Sequence, residues 1–208
     1  MTESSTGLIL RVRPLTETSL IIHWLTPELG RLATVAKGAR RPKSPFRGKL
    51  DLFYLADFSF SRSRRSDLHT LREVSLGETH RALREDLVRL RQASYCAALV
   101  EQATETETPL PAIFDLMKGL LGHLTSAPPE SHSVFAFEFK LLDELGLKPE
   151  IFQLPLQPGT RQLAAALAEQ EWALISRLKL SASQTAELGA FLGHFLACHL
   201  GRVPPGRP

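Results

Sequence analysis

Two rhythms of apolar and polar positions divide the chain. From residue 7 to about residue 76 the period is two. GLILRVR (7–13) sets Leu8, Leu10 and Val12 on one face and Ile9, Arg11 and Arg13 on the other, as a half-buried strand does. SLIIHWLT (19–26) and RLATVAKG (31–38) flank Pro27-Glu28-Leu29-Gly30, a tight reversal that predicts a hairpin. LDLFYLADFSFS (50–61) reads as a long strand with Leu50, Leu52, Tyr54, Ala56, Phe58 and Phe60 on one face. A polar turn, SRSRRSD (61–67), then leads to LHTLREVSL (68–76). Five strands joined by short loops are the material of a small barrel or sandwich.

After Gly77 the period becomes helical. Segments 84–103, 111–124, 132–145, 161–178 and 181–200 carry apolar residues at three-to-four spacing. TETETP closes the first, and Gly146 followed by Pro149 closes the third. In HSVFAFEFKLLDEL (132–145) the apolar residues cover too much of the circumference for a surface helix, which predicts a central one. The expected organisation is α+β. A five-stranded domain spans 1–78 and an all-helical domain 79–208, with a proline-rich connection at 147–160 and a flexible tail at 201–208.

Composition adds limits. No apolar run approaches the roughly 18–20 residues of a membrane span, and the start MTESSTG has neither a basic nor an apolar leader character. Cys96 and Cys198 are too few for a disulfide framework, so a reduced cytoplasmic protein is expected. Charge is unevenly shared. Residues 1–80 hold 13 Lys and Arg against 8 Asp and Glu, whereas residues 81–208 hold 12 against 14. Such asymmetry points to a polyanionic partner.

That excess concentrates in VAKGARRPKSPFRGKL (35–50), where Lys37, Arg40, Arg41, Lys43, Arg47 and Lys49 occur without one acid. Like charges on such a loop repel one another unless something external neutralises them. Pro42 and Pro45 partly preorganise the array. Arg62, Arg64 and Arg65 in the next turn are a candidate extension, and Phe46 is a candidate platform for base stacking. No base-reading helix is evident, so sequence-independent binding is expected. Enzyme signatures are absent: no phosphate-binding G-x-x-x-x-G-K-[ST], no G-x-G-x-x-G after a strand, no G-x-S-x-G elbow. His194 and Cys198, four apart, with His199, are too few ligands for a closed zinc site and read as a helix flank with a buried thiol.

Several strings together resemble the RecO family of bacterial recombination mediators. They are Glu17 before Leu20-Ile21-Ile22, Leu25-Thr26-Pro27-Glu28 with Gly30, Ala36-Lys37-Gly38-Ala39-Arg40-Arg41 with Ser44, and Leu50 with Phe53. In the helical half the matching strings are Leu83-Arg84-Glu85-Asp86, Ala93-Ser94-Tyr95, Phe137 to Leu142, and Leu145-Gly146-Leu147-Lys148-Pro149. The resemblance implies an N-terminal five-stranded OB-fold β-barrel followed by an all-helical domain. It also implies a non-enzymatic, nucleoid-associated protein of bacterial DNA repair and recombination. Such a protein binds single- and double-stranded DNA, anneals strands, and works with RecR to load RecA on strands coated by single-strand-binding protein (SSB). An SSB-tail pocket is expected on the helical domain, with Lys118 or Lys140 as its cation. The C-x-x-C pairs that some members carry after the LG-x-x-P segment are absent from EIFQLPLQPGTRQ, so no zinc is expected. An OB-fold RNA binder, or an adaptor for acidic peptides, would use similar electrostatics.

Overall fold

The computed structural model describes residues 2–207, which fall into two compact units: residues 2–80 with Thr104–Asp115, and Arg81–Ala103 with residues 116–207. The first unit is a closed five-stranded barrel in the order β1-β2-β3-β5-β4. Its strands are β1 (Thr2–Pro14), β2 (Leu20–Thr26), β3 (Gly30–Ala36), β4 (Leu55–Ser61) and β5 (Leu68–Glu78). Among the named strands of the described residues, only β3 and β5 pair in parallel. The OB-fold barrel and the helical region after it are thus as expected.

One long strand closes the barrel. Thr2–Leu8 pairs with β4 and Leu8–Pro14 with β2, and the ladder shifts register between Ile9 and Arg11. Gly7 sits where β1 passes the largest interior side chains. A Cβ there would lie 2.8 Å from Phe58 and 3.2 Å from Trp24. Those two rings stack at 4.0 Å, and the Trp24 indole N–H donates to Thr34 Oγ1 at 2.8 Å, so the buried ring leaves no polar atom unpaired. Ile9, Ile22, Leu32, Phe60, Leu71 and Val74 complete this core.

The fourth strand begins at Leu55 rather than at residue 50. Asp51 makes the difference: its carboxylate accepts the Leu52 N–H at 2.8 Å and its carbonyl the Tyr54 N–H at 3.3 Å, folding a turn. Phe53 then adopts φ 61° with its ring buried, and its carbonyl is held by His80 Nδ1 at 2.7 Å.

Thr104–Asp115, expected in the helical domain, belongs to the barrel unit instead. Arg31 Nε donates to Thr104 Oγ1 at 2.8 Å, Glu107 N–H to the Arg31 carbonyl at 2.9 Å, and Leu110 N–H to the Pro27 carbonyl at 2.9 Å. Gly30, at φ 63°, permits this approach, because the Thr108 backbone lies 1.8 Å from where its Cβ would stand. The polar run TETETP is therefore an added edge to the barrel.

Helix α1 (Ala82–Glu85) is separated from α2 (Leu87–Ala103) by Asp86 in extended conformation. Its carboxylate accepts the Val88 N–H at 2.8 Å, an N-cap two residues inside the start of the expected 84–103 helix. As a result Leu87 is exposed, and α2 buries Tyr95, Cys96, Leu99 and Val100. Helix α3 (Pro111–Ser126) follows; Arg89 caps its end by donating to the Leu124 and Thr125 carbonyls at 2.9 and 3.0 Å. Helix α4 (Ser131–Glu144) is buried from His132 to Phe139, and α2, α5 (Pro158–Glu169), α6 (Trp172–Ile175) and α7 (Ala182–Leu200) pack on it. The central helix is where its pattern placed it.

Two further expectations need correction. The 161–178 helix is broken at extended Gln170 and Glu171, and Trp172 then packs 5.1 Å from His123 against the bare Cα of Gly119. Packing of the indole outweighs local helix preference. Residues 201–207 are docked rather than frayed: Pro204 is buried, and Arg207 is ion-paired with Glu138 at 2.7 Å.

Candidate nucleic-acid interface

The basic loop leaves β3 at Ala36 and rejoins the barrel at Leu55 through a chain of tight turns. Arg41 N–H bonds the Gly38 carbonyl at 3.0 Å, Ser44 N–H the Arg41 carbonyl at 3.1 Å, Arg47 N–H the Ser44 carbonyl at 3.2 Å, and Lys49 N–H the Phe46 carbonyl at 3.0 Å. Gly38 and Gly48 supply the positive φ values, 69° and 73°, that close the outer turns. Arg40 N–H bonds the Thr18 carbonyl at 3.0 Å, tying the loop to the β1–β2 turn. The loop is ordered by its own backbone.

Phe46 is its anchor. Only 7% exposed, it belongs to the barrel core with Phe58 and Val74, so it is not available as a stacking platform in this conformation. An aromatic flanked by prolines and cations has more apolar area to bury inward than to offer to solvent. Lys49 also turns inward and donates to the Val74 carbonyl at 3.1 Å. Lys37, Arg40, Arg41, Lys43 and Arg47 are exposed. Among the described residues none of these five forms a salt bridge; Arg40 and Arg47 make only long contacts to the carbonyls of Thr16 and Pro42, at 3.4 and 3.3 Å. Six candidates on one loop thus resolve into five outward cations and one tethered lysine.

The second cluster is placed elsewhere. Because β3 and β5 are parallel, with Ala33 opposite Leu68 and Val35 opposite Thr70, the 62–67 turn lies toward the start of β3. The basic loop leaves from its other end, at Ala36. Arg62 is moreover engaged: it grips Glu3 with two bonds, 2.7 and 3.0 Å, and Glu107 with a third, 2.8 Å. The Arg62 hydrogen bonds hold the Glu3 carboxyl below its usual range. His69 joins the brace, its Nε2 at 2.8 Å from Glu107 and its Nδ1 accepting the Ser63 N–H at 3.3 Å. Arg64 and Arg65 are exposed on this turn, but they do not extend the loop's array.

Arg13 does. It is exposed, level with Ile21 of β2 and Val35 of β3, and so stands at the end of the barrel from which the loop leaves. Its signal in the sequence was its place on the polar face of β1. A groove of about 640 Å³ beside the loop adds Arg72, with Lys49, Thr6 and Ser59, but also Asp57 and Glu73. Its mixed charge makes it a poor phosphate track. The outward loop face, by contrast, carries cations without acids.

In the helical unit the two expected peptide-binding cations differ. Lys118 is exposed on α3. Lys140 is half-buried and donates to the Ala168 carbonyl at 3.0 Å, capping the end of α5, and burial depresses its pKa. Cys198 is exposed beside His194 at 3.5 Å, whereas Cys96 is the buried thiol. Among the described residues no three His, Cys, Asp or Glu side chains are grouped to hold a metal ion. No helix among the described residues is long and apolar enough to cross a membrane.

The family model described as Recombination protein O N terminal matches residues 1–80, and that described as Recombination protein O C terminal matches residues 84–153 and 152–208. The chain belongs to the RecO family. The DNA repair protein RecO of Anaeromyxobacter dehalogenans strain 2CP-C is 31% identical to it, over 95% of this chain and 91% of that protein. The DNA repair protein RecO of Alkaliphilus metalliredigens is 27% identical over 95% of this chain and 93% of its own length. With the DNA repair protein RecO of Bacillus subtilis strain 168 the match is 31% identical and covers 70% of this chain but 56% of the relative. In this RecO-family chain the barrel, its basic loop and the helical unit all lie within the matched residues.

Proposed function

We propose that this protein is a sequence-independent DNA-binding recombination mediator whose barrel loop holds the phosphate backbone. The observation that carries the reading is the ordered loop 37–49. Its apolar residue is in the core, and five cations point outward with no acid paired to them among the described residues. Such an array neutralises phosphates without reading bases. Family membership supports the finer roles: annealing of complementary strands, work with RecR to load RecA on SSB-coated single strands, a nucleoid setting, and no catalysis. For the SSB tail, Lys118 is the better cation on the helical unit, because Lys140 already caps α5.

The test is a competition series with a labelled single-stranded oligonucleotide, followed by strand annealing on naked and on SSB-coated strands. The reading expects DNA of unrelated sequences to compete alike and annealing to persist on the coated strands. RNA displacing DNA at far lower concentration would favour an RNA-binding role. Binding of an acidic peptide to the loop, indifferent to excess DNA, would favour an adaptor.

A further inference from the structure

We propose that the helical unit contains a guanidinium-binding socket built around Glu138, and that residues 201–207 form a strap that fills it with Arg207. Glu138 is 0% exposed on the central helix α4, in a stretch otherwise apolar. A carboxylate does not stay in such a place unless both oxygens are satisfied and its charge is matched. Here Oε1 accepts from Arg207 Nε at 2.7 Å and from the Tyr95 hydroxyl at 2.6 Å, while Oε2 accepts from Arg207 Nη2 at 2.7 Å. The two parallel bonds are the fork geometry specific to a guanidinium.

The rest of the socket is shaped for the same planar cation. Arg207 Nη1 donates to the Gly189 carbonyl on α7 at 2.6 Å, and the guanidinium carbon lies 5.4 Å from the centre of the Phe135 ring. Gly193, one turn beyond Gly189, is what admits the side chain: a Cβ there would lie 3.2 Å from Arg207 Nη1. Glycine in a helix interior is unfavourable in itself, and at this position it clears the way in.

The strap is held along its length. Gln102 of α2 donates to the Leu200 carbonyl at 3.0 Å and to the Arg202 carbonyl, Gly201 turns the chain at φ 82°, and Gly206 turns it again at φ 91°. Pro204 is buried between these turns. Burial alone would lower the Arg207 pKa, yet the bonds to Glu138 raise it overall, and the Tyr95 hydroxyl is held protonated by burial and by the same carboxylate. One cation thus ties α2, α4 and α7 together, and the socket is specific for an alkylguanidinium, not an ammonium.

The test is chemical rescue in the full chain. Arg207→Ala leaves a charged cavity, and its Tm should fall by roughly 10 °C. Ethylguanidinium at about ten times its Kd should return about 3–5 °C, while ethylammonium at equal ionic strength should return none, and wild type should respond to neither. An unchanged Tm for Arg207→Ala, or equal response to the two cations, overturns the proposal. If Arg207→Ala fails to fold, the double variant Arg207→Ala/Glu138→Gln decides. Removing the unpaired carboxylate restores a folded protein if the socket is as described, and a double variant no better than the single one refutes it.

Discussion

Replacing Arg62 with Met removes the charge of the 62–67 turn that the brace uses, with little change in apolar bulk. Its three bonds to Glu3 and Glu107 join side chains 34%, 26% and 39% exposed, so solvent screens them. Half-exposed ion pairs contribute about 0.2–1 kcal/mol each, and the two-bonded contact to Glu3 lies at the upper end, so the variant should lose about 1–2 kcal/mol. The sign of the acid dependence follows from Glu3. Its folded pKa lies below the ordinary 4.5, so the stability it contributes is complete above that value and disappears as pH falls through the folded one. Arg62→Met should abolish this acid-side decline. Denaturant titration at neutral pH and near pH 3 reads both effects, and oligonucleotide titration at several salt concentrations reads a third. Arg62→Met should leave the salt slope of DNA binding unchanged, whereas Arg41→Met should reduce it by about 0.7 on single strands. If Arg62→Met flattens the slope as Arg41→Met does, Arg62 reaches phosphate and the brace opens on DNA, which refutes its purely structural role.

Phe46→Leu should cost about 1 kcal/mol or more of stability through lost core volume while leaving DNA affinity near wild type, because the ring packs inward; a large affinity loss without loss of stability would make Phe46 a stacking residue after all. His123 and His132 are buried and their pKa values are depressed below 6.5 by that burial, so the unfolded chain takes up protons that the folded helical unit refuses. Stability should therefore hold above about pH 7 and fall as the pH drops below about 6.5 toward the depressed folded values, and His132→Gln should reduce that slope. Equal stability at pH 7.5 and 5.5 would show that neither imidazole resists protonation.

The barrel was legible because five alternating segments and short turns leave few other architectures, and α4 because its apolar residues cover the whole helix. What escaped reading was decided by single side chains acting over long sequence separations. Asp86 looks like any acid in a helical pattern, yet it caps the next helix; Asp51 turns the chain inside an alternating run. The TETETP segment is polar enough to be a loop, and only Gly30, some 75 residues earlier, reveals where it docks. The tail looked frayed because prolines and glycines dominate it, while its partner Glu138 is hidden in an apolar helix. At the candidate site, the loop's composition identified the charges. Which of them face solvent depended on Phe46 and Lys49 turning inward, and whether the second cluster joins them depended on the parallel pairing of β3 with β5.

Phosphate binding by the loop is tested most directly by the salt dependence of single-stranded oligonucleotide binding by wild type and by Arg40→Glu/Arg41→Glu. Five loop cations reaching phosphate give a slope of log affinity against log salt of up to about −3.5, and the double variant should fall to about −2 or flatter with weaker binding to every sequence. Loop charges this exposed should leave the fold intact. A double variant that is folded and binds with the affinity and slope of wild type would contradict the account.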